Sequence, residues 1–223
     1  MFPRRCALCE CGLVTIQEIR FGLCGKCGLQ LNLETGNICQ LCGKPLVSEK
    51  DLCLLCRDKT QSLPSYDRIW VIYPYIGKYK KLLSAYKFGK NLALGNLFTE
   101  KILEVKNAIP VLKDTIIVPV PPRPGKIKQY GWDQVDYLAS KIKRNNHLIK
   151  RCLKRKKSEV QKRLNRNERM ENLKGRIYNN YAVPENILLI DDVFTTGSTL
   201  EVCSSVLKEA GAKKVYGICL FYG

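Results

Sequence analysis

Two adjacent carboxylates, Asp191 and Asp192, follow the apolar run Ile187-Leu188-Leu189-Ile190 and precede Val193-Phe194-Thr195-Thr196-Gly197-Ser198-Thr199-Leu200. The order reads as a buried strand with two carboxylates at its end, a loop rich in hydroxyls and glycine, and the opening of a helix. Backbone N–H groups at a helix start have no partner inside the helix, and the helix dipole favours negative charge there. With the Thr and Ser hydroxyls they make a cradle for a dianion. Ionised carboxylates only accept hydrogen bonds, which suits the vicinal hydroxyls of a ribose as donors. Together the stretch describes a site for a ribose 5-phosphate. A nucleoside triphosphate loop needs Gly-x-x-x-x-Gly-Lys and then Ser or Thr, and no lysine occurs between Ile187 and Leu207. The plainer reading has the carboxylates merely ending a strand and Thr196 or Ser198 capping a helix.

Sulfur carries the second chemistry. Eight of the 12 cysteines fall into four Cys-x-x-Cys pairs: Cys6 with Cys9, Cys24 with Cys27, Cys39 with Cys42, and Cys53 with Cys56. A Cys-x-x-Cys turn aims two thiolates at one point, and two turns complete a tetrahedron around Zn²⁺ with no position open for catalysis. Two structural zinc sites are expected. Sequential pairing puts Cys6, Cys9, Cys24 and Cys27 on one metal and the remaining four on the other; cross-braced pairing is the alternative. The head has few large apolar residues, so ligation, worth about 10–16 kcal/mol in small zinc modules, must hold it together. A redox dithiol occurs once, at a strand-to-helix junction, which four pairs in a row do not match. Cys11 is a spare thiol beside the first site, while Cys152, Cys203 and Cys219 read as small buried residues.

Two further segments offer cations. Ile117-Val118-Pro119-Val120 leads into Pro121-Pro122-Arg123-Pro124-Gly125-Lys126-Ile127-Lys128, where a proline-stiffened turn after a strand presents Arg123, Lys126 and Lys128 as an anion clamp. Between Lys141 and Arg176 there are fifteen Lys or Arg against three Glu, and the whole chain carries a formal charge of +18. Self-repulsion on that scale points to phosphates or another polyanion as partner, although a charge run taken alone is usually a solvated face.

These residues need a scaffold, and the rest of the chain of 223 residues spells one out. Residues 1–57 form the zinc-binding head, 58–66 are a polar linker, and 67–223 are a second domain. Strands are expected at 69–75, 115–120, 187–190 and 214–221, and helices at 79–86, 92–105, 134–142 and 198–210. Alternating β and α elements predict an α/β fold, a parallel sheet with helices on both faces, whose ligand lies at the carboxyl ends of the strands. No run is long and apolar enough for a membrane span, and Met1-Phe2-Pro3-Arg4-Arg5-Cys6 is no secretory signal, so a cytoplasmic location is expected. His147, the sole histidine, sits in Asn145-Asn146-His147, which reads as an exposed turn without a metal role.

The run from Ile187 to Thr199 resembles the phosphoribosyl pyrophosphate signature of type I phosphoribosyltransferases. That resemblance assigns the ribose hydroxyls to Asp191 and Asp192 and the 5-phosphate to Thr195, Thr196, Gly197, Ser198 and Thr199. It also assigns the pyrophosphate loop to Pro121, Pro122, Arg123, Lys126 and Lys128, and implies Mg²⁺ held mainly by ligand oxygens. With the doubled zinc ribbon, nearly the whole chain resembles the ComF family of bacterial natural competence. Arg155, Lys156, Lys157, Gln161, Arg163 and Arg169 fall in that family's basic loop, and Gly131 and Gln134 match its Arg-Gly-Phe-Asn-Gln motif. Tyr130, Trp132, Asp133 and Ser158 depart from the pattern. Tyrosine brings one neutral donor where arginine has five charged ones, so the resemblance implies binding more firmly than catalysis. The family implies a role in DNA uptake, single-stranded DNA binding and coupling to the competence helicase ComFA. The alternative is an active phosphoribosyltransferase acting on a nitrogenous base. Its base-covering hood is expected from earlier residues, since Gly223 directly follows the last strand. A third reading makes the zinc head chiefly a docking surface for a partner protein.

Overall fold

A computed structural model of the protein describes residues 4–31, 37–57, 64–157, 173 and 175–223. The head contains three short helices, α1 (Ile16–Phe21), α2 (Gly25–Leu29) and α3 (Leu54–Arg57). Beyond it come β1 (Arg68–Pro74), α4 (Gly77–Lys87), α5 (Leu92–Ala108), β2 (Ile116–Pro119), α6 (Lys126–Tyr130) and α7 (Gln134–Arg144). The chain then forms β3 (Leu153–Arg155), β4 (Ile177–Asn179), β5 (Asn186–Phe194), α8 (Ser198–Glu209) and β6 (Lys214–Tyr222). Among the described residues no helix is long and apolar enough to cross a membrane.

Continuous apolar runs make strands that are buried on both faces, as a parallel sheet covered by helices requires. The sheet has the order β1-β6-β5-β2, with each neighbouring pair parallel. Side chains alternate between two cores. Leu188, Ile190, Ile218 and Leu220 share one with Leu82 of α4, Phe98 of α5 and Leu138 of α7. Ile187, Leu189, Val215 and Cys219 share the other with Leu200, Cys203 and Leu207 of α8. Cys152, Cys203 and Cys219 are fully buried among these residues, as their apolar contexts predict. The expected α/β fold with helices on both faces is present. In the second domain three elements were not expected: β3 and β4, which pair as an antiparallel hairpin, and α6 within the cationic turn.

The head is built into both cores. Cys6, Leu23, Cys24, Cys27 and Leu31 pack with the first, whereas Cys39, Cys42, Leu46, Cys53 and Cys56 pack with the second. The two ribbons therefore straddle the β1 side of the sheet, one on each face. Ile69 of β1 donates its N–H to the Leu41 carbonyl at 2.8 Å, so the second ribbon caps a strand edge that would otherwise be open. Gly43 makes this approach feasible: its φ is +70°, and a Cβ there would stand 2.9 Å from the Ile69 carbonyl oxygen. On the other face, Asn96 of α5 donates to the Arg20 carbonyl at 2.7 Å, and Arg20 pairs with Glu100. Residues 58–63 of the linker lie outside the described residues. Its end is anchored, since the Ser65 hydroxyl donates to Glu201 of α8 at 2.8 Å and Tyr66 is buried.

Two outcomes follow from ribbons that complete the cores. Stripping zinc from the full chain with a chelator should lower the thermal midpoint of the whole protein, followed by circular dichroism. A sheet-and-helix transition left unchanged by chelation would mean that the ribbons are energetically separate. Gly43→Ala should cost about 1–3 kcal/mol, from left-handed strain plus the clash with β1, measurable by denaturant unfolding.

Candidate functional site

The site begins where β2 stops. The β2–β5 register ends at the pair Pro119 and Ile190, and the last contact is the Val120 N–H donating to the Ile190 carbonyl at 3.1 Å. β5 does not end there, as the sequence reading had it. It runs on to Phe194 because β6 continues beside it, pairing Asp191 with Cys219 and Phe194 with Tyr222. Asp191 and Asp192 thus ride on a strand supported from one side only, at the carboxyl end of the sheet where ligands bind in open α/β folds.

After Phe194 the chain turns through Thr195 and Thr196 to Gly197, which has a φ of 75° and stands at the N-cap of α8. Glycine is required twice here, because a Cβ would also lie 2.8 Å from the Phe194 ring. Having no side chain, Gly197 offers no cap to the first turn of α8. A small pocket remains there, lined by Asp191, Thr195, Gly197, Ser198 and Thr199. Thr196 and Ser198 share a hydroxyl–hydroxyl hydrogen bond of 2.8 Å at its edge. Asp191 and most of the hydroxyl loop that the sequence singled out come together around one concavity, while Asp192 lies outside its lining.

The electrostatics separate the two carboxylates. Lys87, the last residue of α4, pairs with Asp192 at 2.8 Å. Asp191 accepts the Asp192 N–H at 2.8 Å, and burial, reinforced by the neighbouring Asp192 charge, pushes its carboxyl up to about 8. Arg155 of β3 is half-buried. Desolvation holds its pKa down, the guanidinium charges of Arg123 and Arg176 lower it further, and Asp191 opposes them. Among the described residues none of these three arginines has a carboxylate within salt-bridge distance, and Arg176 Nη1 is buried without a hydrogen-bond partner. A buried guanidinium nitrogen without a partner is costly, and an anion is the group that satisfies it best.

The expected clamp is divided. Pro121 and Pro122 carry the chain away from β2, and Arg123 is exposed. Lys126 is instead tied to Asp133 at 2.6 Å and to the Gln134 side chain. Asp133 also caps α7 by accepting the Val135 and Asp136 N–H groups, each at 3.0 Å. Lys128 is exposed on α6, with no ion-pair partner among the described residues. Lys156 and Lys157 are exposed beyond β3, and Lys156 lies 5.3 Å from the Tyr178 ring centroid. Gln161, Arg163 and Arg169 lie outside the described residues. Sequence reading missed Lys87 and Arg176. Lys87 was one basic residue at a helix end, and Arg176 entered only as the boundary of a charge count.

The cysteines fall into two clusters, Cys6, Cys9, Cys24 and Cys27, and Cys39, Cys42, Cys53 and Cys56, with the sulfur atoms of each set within 4.8 Å of one another. This is sequential pairing, and the cross-braced alternative is excluded. The Cys9–Cys24 and Cys42–Cys53 sulfur distances are both 3.7 Å. Thiolates about 2.3 Å from a tetrahedral zinc stand roughly 3.8 Å apart, so the donor sets fit Zn²⁺. Cys11 Sγ lies 3.4 Å from Cys9 Sγ and outside the set of four.

Comparisons with known proteins agree with this anatomy. The model of the double zinc ribbon domain family matches residues 1–59. The chain is 30% identical over 200 residues to competence protein ComFC of Bacillus subtilis, covering 85% of this chain and 79% of the relative. It is 27% identical over 230 residues to competence protein F of Haemophilus influenzae, covering 96% and 95%. DNA utilization protein YhgH of Escherichia coli is 26% identical over 218 residues, with 89% and 96% covered.

Asp191 gives a signed pH dependence. A carboxyl held above its unfolded value stabilises the fold while protonated, and that contribution fades as pH rises from roughly 4 through about 8. Asp191→Asn should flatten this decline and raise the thermal midpoint at alkaline pH by a few degrees. Melts across the pH range check it, and a profile like that of the unsubstituted protein would refute the assignment.

Proposed function

The chain belongs to the ComF family, and on that premise we propose that it acts in DNA uptake by binding phosphoribosyl pyrophosphate with Mg²⁺ and single-stranded DNA. The printed names of its relatives concern competence and DNA utilization, which supports the DNA part of the reading. The observation that carries the ligand part is the unpartnered, buried Nη1 of Arg176, within electrostatic reach of Arg155, which in turn feels both Arg123 and Asp191.

In this reading Asp191 and Asp192 accept from the ribose hydroxyls. The loop Thr195, Thr196, Gly197, Ser198 and Thr199 donates to the 5-phosphate at the start of α8. Arg123, Arg155 and Arg176 take the pyrophosphate, with Lys128 at the rim. Mg²⁺ keeps mostly ligand and water oxygens, needs no protein cage, and would neutralise pyrophosphate charge. Lys87 must exchange its partner, because a ribose on Asp192 competes with the ion pair seen here. The exposed Lys156 and Lys157 begin a basic stretch suited to nucleic-acid phosphates, from which the competence helicase ComFA would receive or pass a strand.

Isothermal titration of the zinc-loaded protein with phosphoribosyl pyrophosphate and Mg²⁺ tests the ligand part. Replacing Asp191 and Asp192 together by alanine should abolish binding with zinc content unchanged. Arg176→Ala should weaken binding by about 1.5–3 kcal/mol, the range of a hydrogen bond to a charged group. Equal affinity in both variants would sink the assignment. Repeating the titration with a single-stranded oligonucleotide present reports whether the two ligands are coupled.

A further inference from the structure

A second basic concavity lies away from the carboxylates. It is a groove of about 590 Å³ between the first ribbon and the sheet-and-helix domain. Arg4 and Arg5 line one side, just before the first cysteine knuckle, and Arg20 of α1 continues that wall. The opposite side is the turn between α4 and α5, with Lys90 and Asn91, and beyond it Tyr137 of α7.

The cations are not there to hold the fold together. Arg4, Arg5 and Lys90 are exposed, and among the described residues none has a carboxylate within salt-bridge distance; only Arg20 is paired, with Glu100. Lys90 is held with a φ of 48°, a conformation that glycine adopts more cheaply, so a charged side chain is kept where the backbone would favour none. Tyr137 is fixed in place. It packs so closely on Gly95 that a Cβ there would lie 2.4 Å from its ring, Trp132 meets it edge-on at 6.1 Å, and its hydroxyl donates to the Leu92 carbonyl at 3.3 Å. Asn91 adds an amide that can both donate and accept, and it makes no cap hydrogen bond to α5. Unpaired cations on two walls, an anchored aromatic ring and an amide are what a flexible phosphate backbone with exposed bases needs. A purely acidic peptide would use only the cations.

We infer that this groove is a binding track for single-stranded nucleic acid, separate from the basic stretch that begins at Arg155. The inference rests on the reading that the chain handles DNA strands, and it assigns a surface to that activity. Phosphates lie against Arg4, Arg5 and Lys90, with a base beside Tyr137.

The test is fluorescence anisotropy of a labelled oligothymidylate with the zinc-loaded full chain over a range of salt concentrations. Arg4→Glu with Arg5→Glu should lower affinity about tenfold or more and reduce the salt slope by about one to two. Lys90→Gly should lower affinity several-fold without loss of thermal stability, since glycine relieves the strain. Tyr137→Leu should weaken binding several-fold with the salt slope unchanged. Zinc content and phosphoribosyl pyrophosphate affinity should be unaltered throughout. If the Arg4, Arg5 and Lys90 variants bind like the parent while Lys156→Glu with Lys157→Glu does not, the groove is refuted and the DNA reading stands. If the parent chain binds no oligothymidylate, both fall. Displacement of the oligonucleotide by polyglutamate at equal charge concentration would overturn the nucleic-acid assignment in favour of an acidic peptide.

Discussion

The site depends on one termination. β2 and β5 share a ladder only as far as Pro119 and Ile190, and the next two residues of β5 are the carboxylates. Had β2 gone on, the backbone beside Asp191 and Asp192 would be paired on both sides and the site closed in by another strand. Because Pro121 and Pro122 take the chain away, β5 is unpaired on that side beyond Ile190, and the concavity lies between its end and the start of α8. β6 continues on the far side and keeps β5 extended, so the acceptors stand on a rigid element. The concavity is made by an asymmetry between two neighbours of one strand.

Around that opening, charges of both signs are crowded and only partly matched. Lys87 serves Asp192 and Lys126 serves Asp133, whereas among the described residues Arg123, Arg155 and Arg176 have no carboxylate within salt-bridge distance. Burial keeps Asp191 above the usual carboxylate range and Arg155 below the usual guanidinium range. Each shift marks a group whose charged form lacks solvation in the free protein. Such perturbed groups collect at functional sites, and each costs stability in the free protein.

Much of this architecture was legible in the residues. The apolar runs at 187–190 and 214–221 gave strands because burial on both faces leaves no polar alternation to misread, and the Cys-x-x-Cys spacing gave the ribbons. The grouping of the cysteines was not decided by spacing, since connectors of similar length serve either pairing; packing against opposite faces of the sheet decides it. The β3–β4 hairpin escaped notice because its strands have three residues each and pair across a long basic stretch. The end of β5 was misplaced because two aspartates look like a stop, and only a neighbouring strand from the end of the chain keeps them in the ladder. Lys87 and Arg176 became visible only once tertiary structure brought Lys87 to Asp192 and Arg176 within reach of Arg155.

The contact between the second ribbon and Ile69 has a counterpart across the sheet. At β2, Ile117 donates to the Leu148 carbonyl at 3.2 Å and accepts from the Lys150 N–H at 2.9 Å. Both outer strands are thus hydrogen-bonded near their starts, one to a metal-bound knuckle and the other to a returning segment. An exposed strand edge is a template on which a second chain can add, and repetition of that step builds fibrils. Here each outer strand has an edge position already taken by another segment of the same chain. Zinc occupancy at the second ribbon therefore bears on whether crowded copies of this chain remain separate molecules.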